Sequence, residues 1–336
     1  MKARSVSKNG VTRAYSIVLI SCFVGCLMTG FPQEFCWAQD FPTKEIKLVV
    51  PLNPGGSVDI ATRLFVDKLG RLLGAPVLVA NNAAGGGVVG CVSVAQAKPN
   101  GYTLLSGPTG HMILKPLLVP DLPYRHTDYT PVCQIIVMPV VILVNGDAPW
   151  KTLKEFVEYG RKNPGKLRAS VGTAGGFLQI ITDLFKSEAK VDITDIPTQG
   201  GVSQAAALMG GHAELCTDTF TSSGNADFLN SGRLRGLVST HKVPGFPTIK
   251  TFEEEGYPRV NLKMWNAIFA PKGLPKPILA KLSNAFEKAC SDPTLREQLE
   301  KMYIIPDYKG PEETSRLMEH ERDISLKLLK QSGLIK

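Results

Sequence analysis

The stretch from Ile46 to Asp59 reads IKLVVPLNPGGSVD. Its first five residues are apolar enough to predict a buried β-strand. Gly55 and Gly56 then allow a sharp turn, and Ser57 is a good N-cap for a helix predicted over 58–73. Unpaired N–H groups and the positive end of the helix dipole meet at such a turn, which favours an anion. The stretch therefore predicts either an anion-binding site or a plain connection, which is the commoner meaning of this pattern.

The same order of strand, Gly-rich loop and helix recurs along the chain. Further strands are predicted over 76–80, 102–106, 167–171, 192–196, 213–217 and 234–239, with a long apolar run over 132–144 that Pro139 interrupts. Further helices are predicted over 88–97, 153–162, 177–189, 202–209, 274–290, 293–302 and 311–329. This alternation predicts an α/β fold with mostly parallel sheets and helices on both faces.

Five Gly-rich loops follow predicted strands, at 53–57, 85–90, 107–110, 172–176 and 199–201. Ligands of open α/β sheets bind outside the carboxyl ends of the strands. Several helix N-termini that converge there would bind a carboxylate or another oxyanion. A length of about 300 residues after the N-terminal segment favours two lobes joined by more than one crossing of the chain.

The N-terminal segment has the features of a secretory signal peptide. Four basic residues precede an apolar stretch over 14–28, and Cys36 and Ala38 place small residues at the −3 and −1 positions of a cleavage site. We therefore expect residues 1–38 to be removed and the protein to be periplasmic. Fifteen apolar residues are short for a membrane span. A lipoprotein cleaved before Cys22 is the alternative, but its apolar region would be very short.

Charge indicates which class of ligand the protein binds, and cysteine spacing indicates whether it needs disulfides. Residues 39–336 contain 34 Lys and Arg and 29 Asp and Glu, without a dense basic run, so nucleic-acid binding is not expected. The mild positive charge suits an anionic small molecule. The four remaining cysteines are widely spaced, and a chain of this length needs no disulfides to hold a core. We interpret Cys91, Cys133, Cys216 and Cys290 mainly as buried thiols, with disulfide pairing left open.

The sequence contains no complete catalytic or cofactor-binding motif. The sequence GGGVVG at 85–90 fits a dinucleotide-binding fingerprint, but the required acidic residue is missing at 106–110. No G-x-S-x-G, H-E-x-x-H or paired C-x-x-C motif occurs, so neither a catalytic nucleophile, a cofactor nor a metal site is predicted. Asp59 and Asp218 are the carboxylates of interest, because Asp59 lies in the first turn of a predicted helix and Asp218 at the end of a predicted strand. Asp59 either contributes to a ligand site or only stabilises its turn.

Several blocks resemble one family in order and spacing. They are PLNPGGSVD at 51–59, Asn82 with Gly85 and Gly87, PNGYTLL at 99–105, Pro131-Val132 and APKGLP at 270–275. The chain resembles, over essentially all of 41–336, the substrate-binding proteins of tripartite tricarboxylate transporters, the Bug family of periplasmic receptors. The resemblance implies a two-lobed periplasmic binding protein that closes like a Venus flytrap (type II-like). We expect lobe 1 over 39–144 and 262–336, and lobe 2 over 145–261, with a hinge near Val144 and Leu262.

The resemblance also implies a function: a monomeric receptor, not an enzyme, that binds an organic carboxylate and delivers it to the membrane subunits of a tripartite transporter. Backbone N–H groups of the two lobes would hold the ligand carboxylate. The residues expected at the ligand are Asn53, Gly55, Gly56, Ser57, Asp59, Thr109, Thr173, Ala174, Gly175, Gln179, Thr198, Gln199, Gly200 and Asp218. An exported α/β hydrolase or transferase and a receptor for inorganic oxyanions are the alternatives.

The chain departs from the family pattern at three positions that are expected to face the ligand. Thr198-Gln199 stands where many members have Tyr-Lys, Gln179 where many have His, and Asn53 where a small apolar residue is common. A missing lysine suits a ligand with less negative charge at its distal end. The sequence thus predicts a monocarboxylate, or an acid with a neutral polar distal end, in preference to citrate.

Overall fold

The computed structural model describes residues 41–172, 176–198, 201–260 and 262–335. The predicted signal peptide over 1–38 lies outside these residues. Within the part of the chain that is described, no helix is both long and apolar enough to span a lipid bilayer. The described residues from Pro42 onward belong to one compact unit that contains two β-sheets.

Strands and helices alternate through most of the chain. The strands are β1 Ile46–Val50, β2 Val77–Asn81, β3 Thr103–Pro108, β4 Tyr129–Met138, β5 Val140–Asn145, β6 Leu167–Val171, β7 Ile193–Pro197, β8 Leu215–Thr219, β9 Leu234–Ser239, β10 Met264–Pro271 and β11 Ile305–Lys309. The helices are α1 Ser57–Leu73, α2 Val88–Ala95, α3 Lys115–Leu118, α4 Leu153–Lys162, α5 Phe177–Ala189, α6 Gly201–Met209, α7 Asn225–Asn230, α8 Lys276–Cys290, α9 Pro293–Lys301 and α10 Pro311–Gln331. A π-helical turn, Gly110–Leu114, precedes α3.

The two sheets divide the chain into two lobes. The first sheet has the strand order β11-β4-β10-β3-β1-β2, and the second has the order β7-β6-β8-β5-β9. We call residues 42–138 and 264–335 the first lobe and residues 140–260 the second lobe. The two-lobed α/β fold that the sequence predicts is confirmed, with helices packed against both sheets.

The predicted parallel pairing is present among three neighbouring strands of each sheet, and both sheets as a whole are mixed. Strands β2, β1 and β3 pair in parallel, as do β7, β6 and β8. Strands β10, β4 and β11 of the first sheet and β5 and β9 of the second pair antiparallel to their neighbours. Strands β10 and β11 of the first sheet and β5 of the second therefore run against the remaining strands of their sheets. Strand β4 passes directly into β5, and the chain returns from β9 to β10, so these two connections lead from one sheet to the other.

The expected lobe boundary at residue 144 lies inside a strand of the second sheet. Strand β5 pairs with β8 and β9, so residues 140–144 belong to the second sheet rather than the first. The change of sheet occurs at Pro139, which has no N–H to donate to a ladder and separates β4 from β5. The return to the first sheet at β10, which begins at Met264, lies close to the expected position near 262.

The core of each lobe is apolar and contains the cysteines. Strand β5 is fully buried from Val140 to Val144 and lies between β8 and β9 in the second sheet. All four cysteines after the N-terminal segment are free and buried, as interpreted from the sequence. Burial raises the pKa of the Cys91 and Cys290 thiols to about 12, so these side chains act as small apolar groups.

Candidate ligand-binding site

The first helix starts at the turn that the sequence singles out. Gly56 is the N-cap of α1, with an extended backbone at φ −78° and ψ 163°. The predicted N-cap, Ser57, is instead the first helical residue. Among the described side chains none caps this helix start. The first N–H groups of α1 and the positive end of its dipole are therefore available to an anion.

Asp59 holds this turn in place from inside the first lobe. Its carboxylate accepts hydrogen bonds from the Gly55 N–H at 2.9 Å and from the Arg63 Nε at 3.0 Å. The Asn81 amide donates to the same carboxylate at 2.9 Å and to the Leu52 carbonyl at 3.0 Å. Burial raises the pKa of Asp59, but the hydrogen bonds from Arg63, Gly55 and Asn81 outweigh it, so the pKa lies below its ordinary value. Asp59 thus stabilises the turn as an ionised group.

The second lobe repeats the geometry of this helix start. Gly176 is the N-cap of α5, with φ −76° and ψ 164°, and no described side chain caps it. The sixth residue of each helix makes matching bonds: Thr62 donates to the Val58 carbonyl at 2.6 Å, and Thr182 to the Leu178 carbonyl at 3.0 Å. Each threonine hydroxyl also bonds to a hydroxyl on a strand of its own lobe, Ser106 or Thr217, at 2.7 Å.

The amino-acid sequence carries a signal of this repeat that was not among the predictions. Residues 55–62 read GGSVDIAT and residues 175–182 read GGFLQIIT. The Gly-Gly pair, the isoleucine and the threonine recur at the same spacing. Asp59 and Gln179 occupy equivalent positions, as the third residue of each helix. The two lobes therefore present two similar helix N-termini.

Asp218 organises the end of β8 in the second lobe. It lies inside the strand rather than after it, because β8 continues to Thr219. Its carboxylate accepts hydrogen bonds from the Thr219 N–H at 2.8 Å and from the Asn225 amide at 3.1 Å. Burial raises the pKa of Asp218 to about 6, although the hydrogen bonds from Thr219, Asn225 and Ser222 oppose the shift. The carboxylate is 2% exposed and fixes the loop that follows β8.

Two contacts bring the lobes together at these elements. The hydroxyls of Ser57 and Thr219 are 2.6 Å apart, which links the start of α1 to the end of β8. The start of the π-helical turn packs closely on the start of α5, since a Cβ on Gly110 would lie 3.3 Å from the Phe177 Cβ. Helix N-termini from both lobes and the loop after β8 thus meet in one region, which we call the interlobe site.

The geometry fits a known family of receptors. A family model described as "Tripartite tricarboxylate transporter family receptor" matches residues 61–334. The chain belongs to this receptor family. The resemblance drawn from the motifs is therefore confirmed, and the two mixed sheets match those of its periplasmic binding proteins.

Relatives of the receptor cover nearly the whole chain. Protein BugT of Bordetella pertussis is 28% identical over 288 residues, which are 84% of this chain and 88% of BugT. MatC of Rhodopseudomonas palustris, solved with bound malate, is 28% identical with a TM-score of 0.78, over 86% of this chain and all of MatC. A second R. palustris protein, solved with adipate, is 26% identical with a TM-score of 0.81, over 88% of this chain and 99% of its own.

The receptor uses several of the predicted ligand residues in its own hydrogen bonds. The Thr109 hydroxyl accepts from the Trp265 N–H at 2.8 Å and so joins the end of β3 to the start of β10. The Thr198 hydroxyl donates to the Val171 carbonyl at 2.9 Å, which ties its loop to β6. Asn53 is exposed on the turn before α1, and Gln179 is half-buried on α5. Five predicted residues lie outside the described part of the chain: Thr173, Ala174, Gly175, Gln199 and Gly200.

Four residues of the receptor's site were not predicted from the sequence. Arg63 and Asn81 complete the Asp59 network, and Thr219 and Asn225 complete the Asp218 network. Arg63 could have been found, because an arginine four residues after an aspartate shares its helix face. The other three join strand ends or loops that only the tertiary fold brings together.

Proposed function

We propose that this protein binds a small organic carboxylate at the interlobe site and delivers it to the membrane subunits of a tripartite transporter, without catalysing a reaction. The observation that carries the proposal is the pair of uncapped Gly-Gly helix starts, Gly56 of α1 and Gly176 of α5, in a family of solute receptors. Relatives solved with malate and adipate support a carboxylate as the ligand class.

The energetics suit such a ligand. A micromolar dissociation constant needs roughly 8 kcal/mol. A hydrogen bond to a charged group contributes about 1.5–3 kcal/mol, so a few N–H donors from two helix starts reach this value, less the cost of ordering. The Asp59 charge near the site is compensated by Arg63, at 3.0 Å, which limits its repulsion of an anion.

The contacts of Ser57 argue against the alternative of a hydrolase or transferase. A serine nucleophile needs a general base within hydrogen-bond reach. The Ser57 hydroxyl lies at the helix start, but its hydrogen-bond partner is the Thr219 hydroxyl rather than an imidazole or carboxylate. This arrangement fits a contact between lobes better than an activated nucleophile.

A panel of ligands tests the proposal. Thermal-shift assays would compare malate, adipate, citrate and monocarboxylates with phosphate, sulfate and the dimethyl ester of malate, which lacks the charges. We expect at least one carboxylate to raise the melting temperature, and the ester and inorganic ions to have no effect. Stabilisation by phosphate or sulfate alone would favour the inorganic oxyanion receptor. If no ligand of the panel changed the melting temperature, the result would contradict the proposed ligand class.

We also propose that the lobes close on the ligand. The chain passes between the sheets at Pro139 and again between β9 and β10, and such connections serve as hinges in two-lobed receptors. A ligand that bridges both helix starts would shift an open–closed equilibrium towards the closed form. Small-angle scattering should show a smaller radius of gyration with saturating ligand than without it. An equal radius in both states would contradict closure.

The periplasmic location completes the proposal. We propose cleavage after Ala38 and a monomeric mature receptor. N-terminal sequencing of the protein from a periplasmic extract should begin at Gln39, and light scattering should give the mass of one chain. A mature protein that begins at a lipid-modified Cys22 would support the lipoprotein alternative.

A further inference from the structure

The turn after α9 carries the first lobe into contact with the second. Helix α9 packs against α1 and β11 of the first lobe. The ring of Tyr303, just after α9, lies 5.1 Å from the Phe246 ring and 6.0 Å from the Phe220 ring, between centroids. These two phenylalanines stack on each other at 5.2 Å within the apolar core of the second lobe. The Thr221 hydroxyl also donates to the Met302 carbonyl at 2.6 Å.

The backbone of Tyr303 adopts a conformation that usually belongs to glycine. Its φ is +59°, in the left-handed region where side chains are strained. The Ile304 N–H donates to the Leu299 carbonyl, and the Tyr303 N–H to the Glu300 carbonyl, which is the Schellman pattern at the end of α9. Tyr303 thus occupies the position where glycine is the common residue. A tyrosine in this strained conformation indicates that the contact made by its side chain has a functional role.

The second lobe leaves room for the Tyr303 ring. A Cβ on Gly245 would lie 2.6 Å from a carbon of that ring, so only glycine fits beside it. The first lobe therefore has a tyrosine where glycine is common, and the second lobe has a glycine where a larger residue would collide with the tyrosine ring. Aromatic rings at these separations attract one another in addition to burying apolar area.

The same segment of the second lobe reaches the interlobe site. Thr219, Phe220 and Thr221 are consecutive, and Thr219 bonds to Ser57 at the start of α1. The next two residues contact Tyr303 and Met302. One tripeptide of the second lobe is therefore attached to the first lobe at the helix start and at the turn after α9.

We propose that Tyr303 is a positioning residue for ligand binding, which rests on the proposed function. Its ring docks the segment 219–221 onto the first lobe and thereby holds Thr219 against Ser57. This contact favours the arrangement in which the two Gly-Gly helix starts face one ligand. Removing the ring shifts the unliganded protein towards an open form and weakens binding without removing any group from the interlobe site.

Three ring variants and one hydroxyl variant test the proposal. Tyr303→Gly removes the ring and tolerates the positive φ, and Tyr303→Phe keeps the ring as a rescue variant. Thr221→Val removes the hydrogen bond to Met302 from the opposite lobe. Tyr257→Ala is the matched control, because the Tyr257 ring packs at 5.9 Å on Phe185 within the second lobe. Each variant would be measured by small-angle scattering without ligand and by calorimetric titration with malate.

We expect a larger radius of gyration and about tenfold weaker malate binding for Tyr303→Gly, with a smaller effect of the same sign for Thr221→Val. Tyr303→Phe and Tyr257→Ala should match the wild type in both measurements. A wild-type radius for Tyr303→Gly and Thr221→Val would overturn the proposal, as would a larger radius with unchanged malate affinity. If the wild type does not bind malate, the choice of ligand is wrong, and the radius alone decides the role of Tyr303.

Discussion

The two lobes each use a buried aspartate to fix a loop at the interlobe site, but they treat its charge differently. Asp59 of the first lobe is paired with Arg63, and its pKa is held below the ordinary value. Asp218 of the second lobe accepts hydrogen bonds from Thr219 and Asn225, which carry no charge, and burial raises its pKa to about 6.

The difference shows that two buried aspartates of one protein can respond to protons in opposite ways. The ionised form of Asp59 is favoured by folding, so its contribution to stability is present above the unfolded pKa and is lost as the pH falls through the folded one. The protonated form of Asp218 is favoured by folding, so stability is lost as the pH rises towards about 6. The Asp59 network is therefore most stabilising when its carboxylate is ionised, and the Asp218 network when its carboxyl is protonated.

The largest expected effect is that of removing the Asp59 carboxylate. Asp59→Ala leaves the Gly55 N–H without its acceptor, removes one of the two acceptors of the Asn81 amide, and should lower the free energy of unfolding by about 3 kcal/mol. Ligand binding should fall with it, because the turn before α1 loses its anchor. Urea unfolding would measure the change. Asp67→Ala, an exposed aspartate on the same helix, is the control and should change stability by less than about 0.5 kcal/mol.

The contribution of Asp218 to stability should depend on pH in the direction opposite to that of Asp59. Between about pH 4 and 6 the folded state holds the Asp218 proton more strongly than the unfolded state, so the Asp218 contribution to the free energy of unfolding should fall by about 2 kcal/mol as the pH rises across this range. Asp218→Asn should remove that slope, and Asp227→Asn, an exposed carboxylate on α7, should keep it. The difference in unfolding free energy between wild type and Asp218→Asn, measured at several pH values, isolates the Asp218 contribution. A difference that does not vary with pH would contradict it.

A smaller effect is expected from placing a positive charge in the second lobe. In the sequence, Gln199 precedes the Gly-Gly pair at 200–201, where the family pattern often has lysine. Gln199→Lys should improve binding of di- or tricarboxylates relative to monocarboxylates by about tenfold, because a lysine adds a charge-assisted hydrogen bond. Gln298→Lys on α9 adds the same charge at an exposed position and controls for net charge. An unchanged ratio of calorimetric affinities would mean that position 199 does not read the distal end of the ligand.

Much of the fold could be predicted because local patterns decide it. The predicted helices over 153–162 and 177–189 and the strands over 167–171 and 234–239 are confirmed to the residue. Asp292 caps α9 as its sequence indicates, since it accepts from the Leu295 N–H at 3.0 Å. These elements have clear periodicity or clear caps, and their ends do not depend on distant residues.

The rest depends on contacts that no local pattern contains. The antiparallel pairing of β4, β5 and β10 depends on the path of the chain between the lobes, which periodicity does not show. Ser57 was predicted as an N-cap, but its hydroxyl forms a hydrogen bond with the hydroxyl of Thr219, which is 162 residues away in the sequence. Strand β11 over Ile305–Lys309 was not predicted, because its half-buried residues show no apolar alternation. The repeat of GGSVDIAT in GGFLQIIT was visible in the sequence but becomes meaningful only when both helix starts are seen to match.

Calorimetric titration of Gly56→Val tests most directly whether the start of α1 holds the ligand carboxylate. Gly56 has an ordinary extended backbone, and a Cβ there would meet only the Asn53 carbonyl oxygen, at 3.8 Å, so valine should fold with a melting temperature within a few degrees of the wild type. Its branched side chain would occupy the space of the ligand oxygen at the helix N-terminus. We predict that the best carboxylate of the thermal-shift panel binds this variant at least about a hundredfold more weakly than the wild type, a loss of roughly 3 kcal/mol. Wild-type affinity in the folded variant would contradict the assignment of the site.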